Sequence, residues 1–377
     1  CLRCSSRHHH CSFNLGASYG ARDWSKDLVA IKTTARRYKE LMRVGIAGYG
    51  LAGRYFHAPL LKGCGYEVVA IQTSNAERAG HAVADFPNVN VVATIEELVA
   101  HKLDLVVVAS ANLVHAEHAF AAINAGIPVV VDKPMGRTFA ETAEIISAGE
   151  REGVPVSTFF NRRWDSDALT IKRVLASGVL GTIHRMDSRF ERFRPELNKS
   201  SWRENMSAAD GGGQLLDLQP HLISTAIDWF GKAELVTSTV RTIRGGADDD
   251  AVLVLKHDSG VLSILSASVV VGAPGPRIRI LGSKGALVIN DLDPQEALLK
   301  AGKTPMGGKW DVPTKSKTFI HRGDEVEEIV AEDGNYATFY TLVAGAIAGT
   351  NPWPISNDDA LLVAQIIDQA RNNALHV

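Results

Sequence analysis

Short apolar segments alternate with helical segments between residues 42 and 160, and this alternation limits the possible folds most strongly. Six of the segments have the composition of buried strands: RVGIAG, EVVAIQTS, NVNVVA, LDLVVVAS, IPVVVDKP and VPVSTFFN. Strands that are apolar on both faces and separated by helices form parallel sheets covered on both sides. The pattern therefore predicts a doubly wound α/β domain over residues 42–160.

The pattern changes after residue 160. One helical segment, SDALTIKRVLASG, precedes the strand-like TIHRMDSRFERF, and a helix is predicted over about 215–230. Five strand-like runs then follow without helices between them: ELVTSTVRT, DAVLVLKH, VLSILSASVVV, PRIRILG and ALVIN. Two helical segments end the chain, and Ser356 with Asp359 resembles a capping box at the second. Residues 161–377 are therefore predicted to form an α+β domain with a large, mostly antiparallel sheet, whose last helix could pack on the first domain.

Residues 1–41 lack this periodicity and are predicted to be an extension that is disordered or foreign to the native protein. The first 22 residues contain no acidic side chain, which is also typical of an organelle-targeting peptide. Cysteines and histidines crowd into this tail without a second ligand pair at the spacing of a zinc finger. We therefore expect no metal site.

The composition excludes several classes of partner. Lysine and arginine number 40 against 42 acidic residues, so neither nucleic acid nor a membrane surface is an expected partner. No apolar run approaches the roughly 18 residues that a transmembrane helix requires. Four cysteines in 377 residues are too few for a disulfide scaffold, so a cytoplasmic, reducing location is expected.

A glycine-rich loop joins the first predicted strand to the first predicted helix. Its sequence is Gly48-Tyr49-Gly50-Leu51-Ala52-Gly53, a G-x-G-x-x-G motif. In this context the first glycine permits a tight turn, and the second lets the backbone approach a pyrophosphate. The third lets the helix pack closely on the strand. The loop predicts a dinucleotide site, and the alternative is a glycine turn that binds nothing.

The tip of the second strand indicates which dinucleotide is bound. NAD sites usually place a carboxylate there for the ribose 2′-hydroxyl, but this chain has Ser74 and Asn75, followed by Arg78. Hydroxyls and a guanidinium suit a 2′-phosphate. We therefore expect NADP to be preferred, with NAD possible, unless Arg78 is only a solvated helix residue.

Two further groups of polar residues follow predicted elements. Lys133 ends the fifth strand, where ligands of open α/β sheets bind, although a surface lysine is the alternative. Asp217 and His221 follow three glycines and are four residues apart, so a regular helix would present both on one face. Such a histidine can accept a hydroxyl proton and such an aspartate can orient it, although pairs of this kind are also common on surfaces.

Together, the glycine loop, the Lys133-Pro134 pair and the GGG…D…H segment resemble the Gfo/Idh/MocA family of NAD(P)-dependent sugar and inositol oxidoreductases. The resemblance extends from Arg43 to the C-terminus. The segments GYGLAGRYFHAPLL, FFNRRWDSDALTIKRVL and FRPE are most similar to the branch of NADP-dependent scyllo-inositol dehydrogenases.

The resemblance implies specific roles. Lys133, Asp217 and His221 would carry the proton chemistry, with Asp217 positioning His221. Further cofactor contacts are implied for a set of residues after the fourth, fifth and sixth strands: Ser110, Asn112, His115, Asp132, Lys133 and Arg162. Asp132 stands where the family has glutamate, and Ser110-Ala111-Asn112 where it usually has Thr-Pro-Asn. Substrate contacts are expected from Lys133, Trp164, Arg194, Asp217 and His221, although Arg162 and Trp164 could instead pack at a domain interface.

The predicted activity is hydride transfer between NADP(H) and a secondary alcohol or ketone of a cyclic polyol or sugar. Alternatives are a dehydrogenase for an aldose or a dihydrodiol, and a regulator of the same family that binds dinucleotide without turnover. The later domain could select the substrate through a polar rim of Arg192, Arg194, Trp202, Tyr336 and Tyr340. A homodimer or homotetramer is expected by analogy with the family.

Overall fold

The computed structural model describes residues 41–372 and contains two sheets. The first has six parallel strands in the order β3-β2-β1-β4-β5-β6. They are β1 (Arg43–Ala47), β2 (Glu67–Gln72), β3 (Asn90–Val92), β4 (Leu105–Val108), β5 (Val129–Val131) and β6 (Val156–Thr158). This is the doubly wound order, so the predicted Rossmann-type sheet is confirmed, with all six strands in the predicted segments.

Two apolar clusters cover the two faces of this sheet. Val106 and Val108 of β4 pack in one cluster, whereas Leu105 and Val107 pack in the other. The covering helices are α1 (Ala58–Gly63), α2 (Ala76–Asp85), α3 (Ile95–Val99), α4 (His115–Asn124) and α5 (Phe139–Glu152). A π-helical turn at Gly53–His57 precedes α1, where the sequence indicated only a continuous amphipathic stretch.

The second sheet has eight strands in the order β14-β13-β12-β11-β7-β10-β9-β8. They are β7 (Ile183–Glu191), β8 (Ala233–Arg241), β9 (Asp250–His257), β10 (Leu262–Ser268), β11 (Ile278–Gly282), β12 (Gly285–Ile289), β13 (Thr318–Arg322) and β14 (Glu325–Ile329). Neighbours are antiparallel except β7 and β10, which confirms the mostly antiparallel prediction. The sequence did not indicate β13 and β14. Strand β14 buries no side chain and so lacks the apolar alternation of a core strand.

Seven helices accompany this sheet within the described part of the chain: α6 (Ser166–Ser177), α7 (Trp202–Asn205), α8 (Gln214–Asp217), α9 (Gln219–Phe230), α10 (Gln295–Lys300), α11 (Ala337–Ile347) and α12 (Asn357–Asn372). Helix α12 returns to the first domain, where the Phe139 amide donates to Asp368 at 2.7 Å. Ser356 accepts from the Asp359 amide, as expected for its cap. Over residues 41–372, no helix is long and apolar enough to span a bilayer.

The single helix predicted over 215–230 is wrong in one respect, because it breaks at Leu218 into α8 and α9. Pro220 has no amide hydrogen, so it cannot bond to the carbonyl four residues earlier. The next amide, of His221, donates to Leu218 at 3.2 Å and leaves the Asp217 carbonyl free for another donor. Asp217 and His221 therefore do not share one face of a regular helix.

Gly53 and Gly80 offer a matched test of the glycine loop. A Cβ on Gly53 would lie 2.1 Å from the Gly48 carbonyl oxygen, whereas a Cβ on Gly80 in exposed α2 would meet nothing within 4 Å. We expect Gly53→Ala to lower the free energy of unfolding by about 1–3 kcal/mol through overpacking, and Gly80→Ala to raise it by about 0.5–1 kcal/mol. Urea unfolding measures both, and equal stabilities would contradict the close packing at Gly53.

Candidate active site

The glycine loop leaves one open approach to its backbone. Gly48 has φ of +95°, and a Cβ there would lie 2.6 Å from the backbone of Ser110. The space beside the Gly53 Cα is filled by the carbonyl oxygen of Gly48. A Cβ on Gly50, in contrast, would point towards the Arg78 guanidinium at 3.7 Å. The open side of the loop therefore lies beside a cation.

Tyr49 contributes only backbone to the open side of this loop. Its side chain is buried, and its hydroxyl donates to Asp85 at 3.0 Å. Burial and the Asp85 charge both raise the pKa of Tyr49. Leu51 is half exposed and Ala52 is partly buried, so neither side chain supplies a polar contact.

The tip of β2 presents Ser74 and Arg78, and both side chains are exposed. Asn75 instead caps α2, because its Oδ1 accepts from the Arg78 amide at 3.0 Å. Gln72 is also engaged, since its side chain donates to the Ala93 carbonyl. The strand tip therefore offers a hydroxyl and a guanidinium, and no carboxylate.

Ser110, Asn112 and His115 connect the loops around the site. Asn112 is buried and donates to the Gly211 carbonyl at 2.9 Å, which joins the first domain to the three-glycine loop of the second. His115 is also buried. Its Nδ1 lies 2.9 Å from the Pro134 carbonyl and its Nε2 lies 3.2 Å from the Ser110 carbonyl. Burial lowers the pKa of His115. These side chains hold loops together, while the buried Ser110 hydroxyl has no hydrogen-bond partner in the described structure.

Asp132 connects Lys133 to a buried histidine that sequence reasoning missed. Its Oδ1 accepts from the Lys133 amide at 2.9 Å and lies 3.7 Å from Nε2 of His57. Burial opposes ionisation of Asp132, but His57 and the charge of Lys133 outweigh it and hold the pKa at about 2. The Nδ1 of His57 lies 2.6 Å from the Tyr340 hydroxyl. His57 lies within the segment GYGLAGRYFHAPLL, but nothing in that segment marks it as a partner of Asp132.

Lys133 is bound by Asp217 of the other domain. Its ammonium donates to the Asp217 carbonyl at 2.6 Å and to the Asp217 carboxylate at 2.9 Å. Burial opposes ionisation of Asp217, but Lys133 and then Arg203 outweigh it and lower its pKa. We expected this carboxylate to position His221. The structure corrects that expectation, because the break at Leu218 directs Asp217 to Lys133.

His221 lies beside this ion pair with one ring nitrogen enclosed. The residue is only 8% exposed, and its Nδ1 is buried without a hydrogen-bond partner among the described residues. Its ring meets Phe190 edge-on at 6.1 Å between centroids. Burial, followed by the charges of Lys133 and Arg162, lowers the pKa of His221 well below 6.5. The imidazole is therefore neutral at neutral pH and can accept a proton.

Arg162 and Trp164 lie in the core. Arg162 is buried and paired with Asp165 and Glu296, so its guanidinium is engaged within the protein. Trp164 packs edge-on against Phe339 at 5.6 Å. The structure thus favours the packing alternative for both residues over ligand contacts.

The expected polar rim is only partly present. Tyr336 and Tyr340 are fully buried, which corrects their expected place at the rim. Arg194 is exposed, whereas Arg192 and Trp202 are partly buried. Between residues 41 and 372, no group of three or more His, Cys, Asp or Glu side chains could hold a metal ion.

Two family models match this architecture. Residues 42–160 match the oxidoreductase family with an NAD-binding Rossmann fold, and residues 168–288 match the GFO/IDH/MocA C-terminal domain. The chain belongs to the Gfo/Idh/MocA family. It is therefore an NAD(P)-dependent oxidoreductase, as the motifs implied.

Individual relatives match over nearly their whole length. The scyllo-inositol 2-dehydrogenase (NADP(+)) IolW of Bacillus subtilis (strain 168) is 35% identical, covering 90% of this chain and 95% of the relative. An uncharacterized oxidoreductase, YdgJ of Escherichia coli (strain K12), is also 35% identical, covering 89% and 97%. The solved structure of yvaA from Bacillus subtilis has a TM-score of 0.80 at 33% identity, covering 90% and 97%.

Proposed function

We propose that the chain transfers a hydride between NADP(H) and a secondary alcohol or ketone of a cyclic polyol or sugar of the inositol type. The observation that carries this proposal is the Lys133 ammonium, held by Asp217 at the end of β5 with a neutral His221 beside it. These are the groups that proton transfer to and from a hydroxyl requires. The name of IolW supports the substrate class.

The residues around the glycine loop fit NADP. The Gly50 backbone is open, Ser74 and Arg78 offer donors for a 2′-phosphate, and the Ser110 hydroxyl has no partner within the described chain. Because Asn75, His115 and Arg162 are engaged elsewhere, we assign them to the support of the site. When bound, the nicotinamide accepts or returns the hydride.

The proton is moved by residues of this chain. His221 accepts it from the substrate hydroxyl on Nε2, since Nδ1 is enclosed. Lys133 donates a hydrogen bond to the same substrate oxygen and stabilises the charge that develops there. Asp217 fixes the position of Lys133 through two hydrogen bonds. In the reverse direction the same groups protonate the oxygen of a ketone.

Absorbance at 340 nm with NADP⁺ or NAD⁺ and a panel of inositols, aldoses and dihydrodiols tests the proposal. We expect turnover of a polyol with NADP⁺, and a kcat lower by about 10²–10⁴-fold in Lys133→Met, because general acid–base groups contribute about that much. Lys102→Met, which alters an exposed lysine, is the matched control. Turnover of dihydrodiols alone would contradict the proposed substrate class, and full activity of Lys133→Met would contradict the mechanism.

The pH dependence of kcat/KM tests His221 as the base. Because burial lowers its pKa well below 6.5, the imidazole stays neutral until the pH falls below that value. We expect kcat/KM to remain level from about pH 8 to 6.5 and to fall only at lower pH. His221→Asn should lose about 10²–10⁴-fold in kcat together with this acid limb. An acid limb above pH 6.5 in the unaltered enzyme would exclude the proposed neutral base.

Arg78→Ala tests the cofactor preference. Because the guanidinium lies beside Gly50, its loss should raise KM for NADP⁺ by about 10–100-fold, the value of one or two hydrogen bonds to a charged group. KM for NAD⁺ should not change in Arg78→Ala. The control variant Arg151→Ala, in α5, should leave KM for both cofactors unchanged. Equal kcat/KM with both cofactors in the unaltered enzyme would refute the preference.

We also propose a homodimer or homotetramer formed through the outer face of the second sheet. Outward-facing positions of β9 and β10 carry a partly exposed apolar patch of Val252, Val254, Leu262 and Ile264. Light scattering should give two or four times the monomer mass. Ile264→Glu should reduce the mass to the monomer value, whereas Val83→Glu on exposed α2 should not. A monomer at micromolar concentration would contradict the proposal.

A further inference from the structure

Four cations surround the substrate side of the site: Lys133, Arg192, Arg194 and Arg203. Lys133 and Arg203 approach the same oxygen of Asp217, at 2.9 Å and 3.4 Å. Arg192 lies two residues after Phe190 of β7, whose ring meets His221 at 6.1 Å between centroids. The charges of Arg194 and Asp217 both act on Arg192 there. Arg203 is fixed over the ring of Trp202, 4.4 Å from its centroid.

These cations outnumber the carboxylates that the described contacts place against them. Asp217 is shared between Lys133 and Arg203. Glu296 pairs with Arg162 and Lys300, and Glu204 pairs with Arg244. Like charges held at short range repel one another strongly in a partly buried cleft. Asp132 also faces Lys133, and the charge of Glu296 reaches Arg192, so four cations meet three carboxylates. None of the ion pairs in the described chain includes Arg192 or Arg194.

Arg192 shows this excess most clearly. Its backbone is fixed, because its amide donates to Ser268 at 3.0 Å and its carbonyl accepts from Val271 at 3.0 Å. Its partly buried guanidinium makes none of the side-chain hydrogen bonds found among residues 41–372. Burial, and next the charge of Arg194, lowers the pKa of Arg192. Five donors in a rigid plane are thus left for a ligand.

We propose that the substrate is an acidic polyol, whose carboxylate or phosphate group is bound by Arg192 and Arg203 beside the hydroxyl that Lys133 contacts. This inference rests on the proposed function for the reacting hydroxyl. A guanidinium binds planar anionic groups through paired hydrogen bonds, which fixes the orientation of the ring as well as its affinity. A neutral polyol would fill the same space and leave the positive charges unmatched.

The test compares sugars that differ only in an acidic group. Glucose, glucuronate and glucose 6-phosphate, and myo-inositol with its 1-phosphate, are titrated calorimetrically into NADP⁺-saturated protein and assayed at 340 nm. We expect at least one acid to bind about 10–100-fold more tightly than its neutral counterpart, the value of hydrogen bonds to a charged group. The glucuronate and phosphate arms distinguish the two kinds of anion.

Arg192→Gln should lower the affinity for the acid by about 10–100-fold and so abolish the preference for the acid over its neutral counterpart. Arg322→Gln, at a partly buried arginine of β13 that pairs with Glu327, is the matched control. The preference should also weaken as salt rises, since exposed charges are screened. Equal binding of acid and neutral partners, binding of no acid, or an equal loss of both in Arg192→Gln would overturn the inference. Acids that bind through Arg192 without turnover would support the anion-binding site formed by the arginines and count against the proposed hydride transfer.

Discussion

The contact between Lys133 and Asp217 joins the two halves of the molecule at the candidate active site. Lys133 lies at the end of a parallel strand, and Asp217 lies at the end of a short helix in the other domain. The lysine can bond to a backbone carbonyl because Pro220 interrupts the helix and leaves that carbonyl free. A residue that would ordinarily only disrupt a helix thus leaves an acceptor for the Lys133 ammonium.

The surrounding loops hold this contact in place. Asn112 binds the carbonyl of Gly211, and a Cβ on the adjacent Gly212 would lie 2.1 Å from the Met206 carbonyl. The three glycines of this loop therefore allow two backbone segments to pack closely. The loop is less flexible than three consecutive glycines in a sequence indicate. This packing holds Lys133 in position before a ligand binds, as the proposed proton chemistry requires.

The sequence predicted those features that depend on local pattern. Every residue of strand β4 is apolar, which predicted its burial on both faces. The glycine loop was predicted because a strand precedes it and a helix follows it. The features that were missed depend on distant packing. Tyr340 is polar in sequence but lies in the core, where its hydroxyl meets the buried His57. Likewise, Glu296 is far from Arg162 in the sequence and becomes its partner only when the second domain folds. The Leu218 break could have been inferred from Pro220, but the helical periodicity on both sides concealed it.

The last helix, α12, also limits where the chain can be cut into separate domains. Helix α12 contributes to the apolar cluster on one face of the first sheet through Ala360 and the partly buried Leu361. Helix α12 therefore covers part of the first domain, while Val363, Ile366 and Ile367 of the same helix pack in the other apolar cluster, which includes the second sheet. A fragment that stopped after β6 would leave Ile145 and its neighbours without part of their cover. A second domain exchanged between relatives would therefore have to keep an α12 that matches both sheets, because this helix packs on each of them.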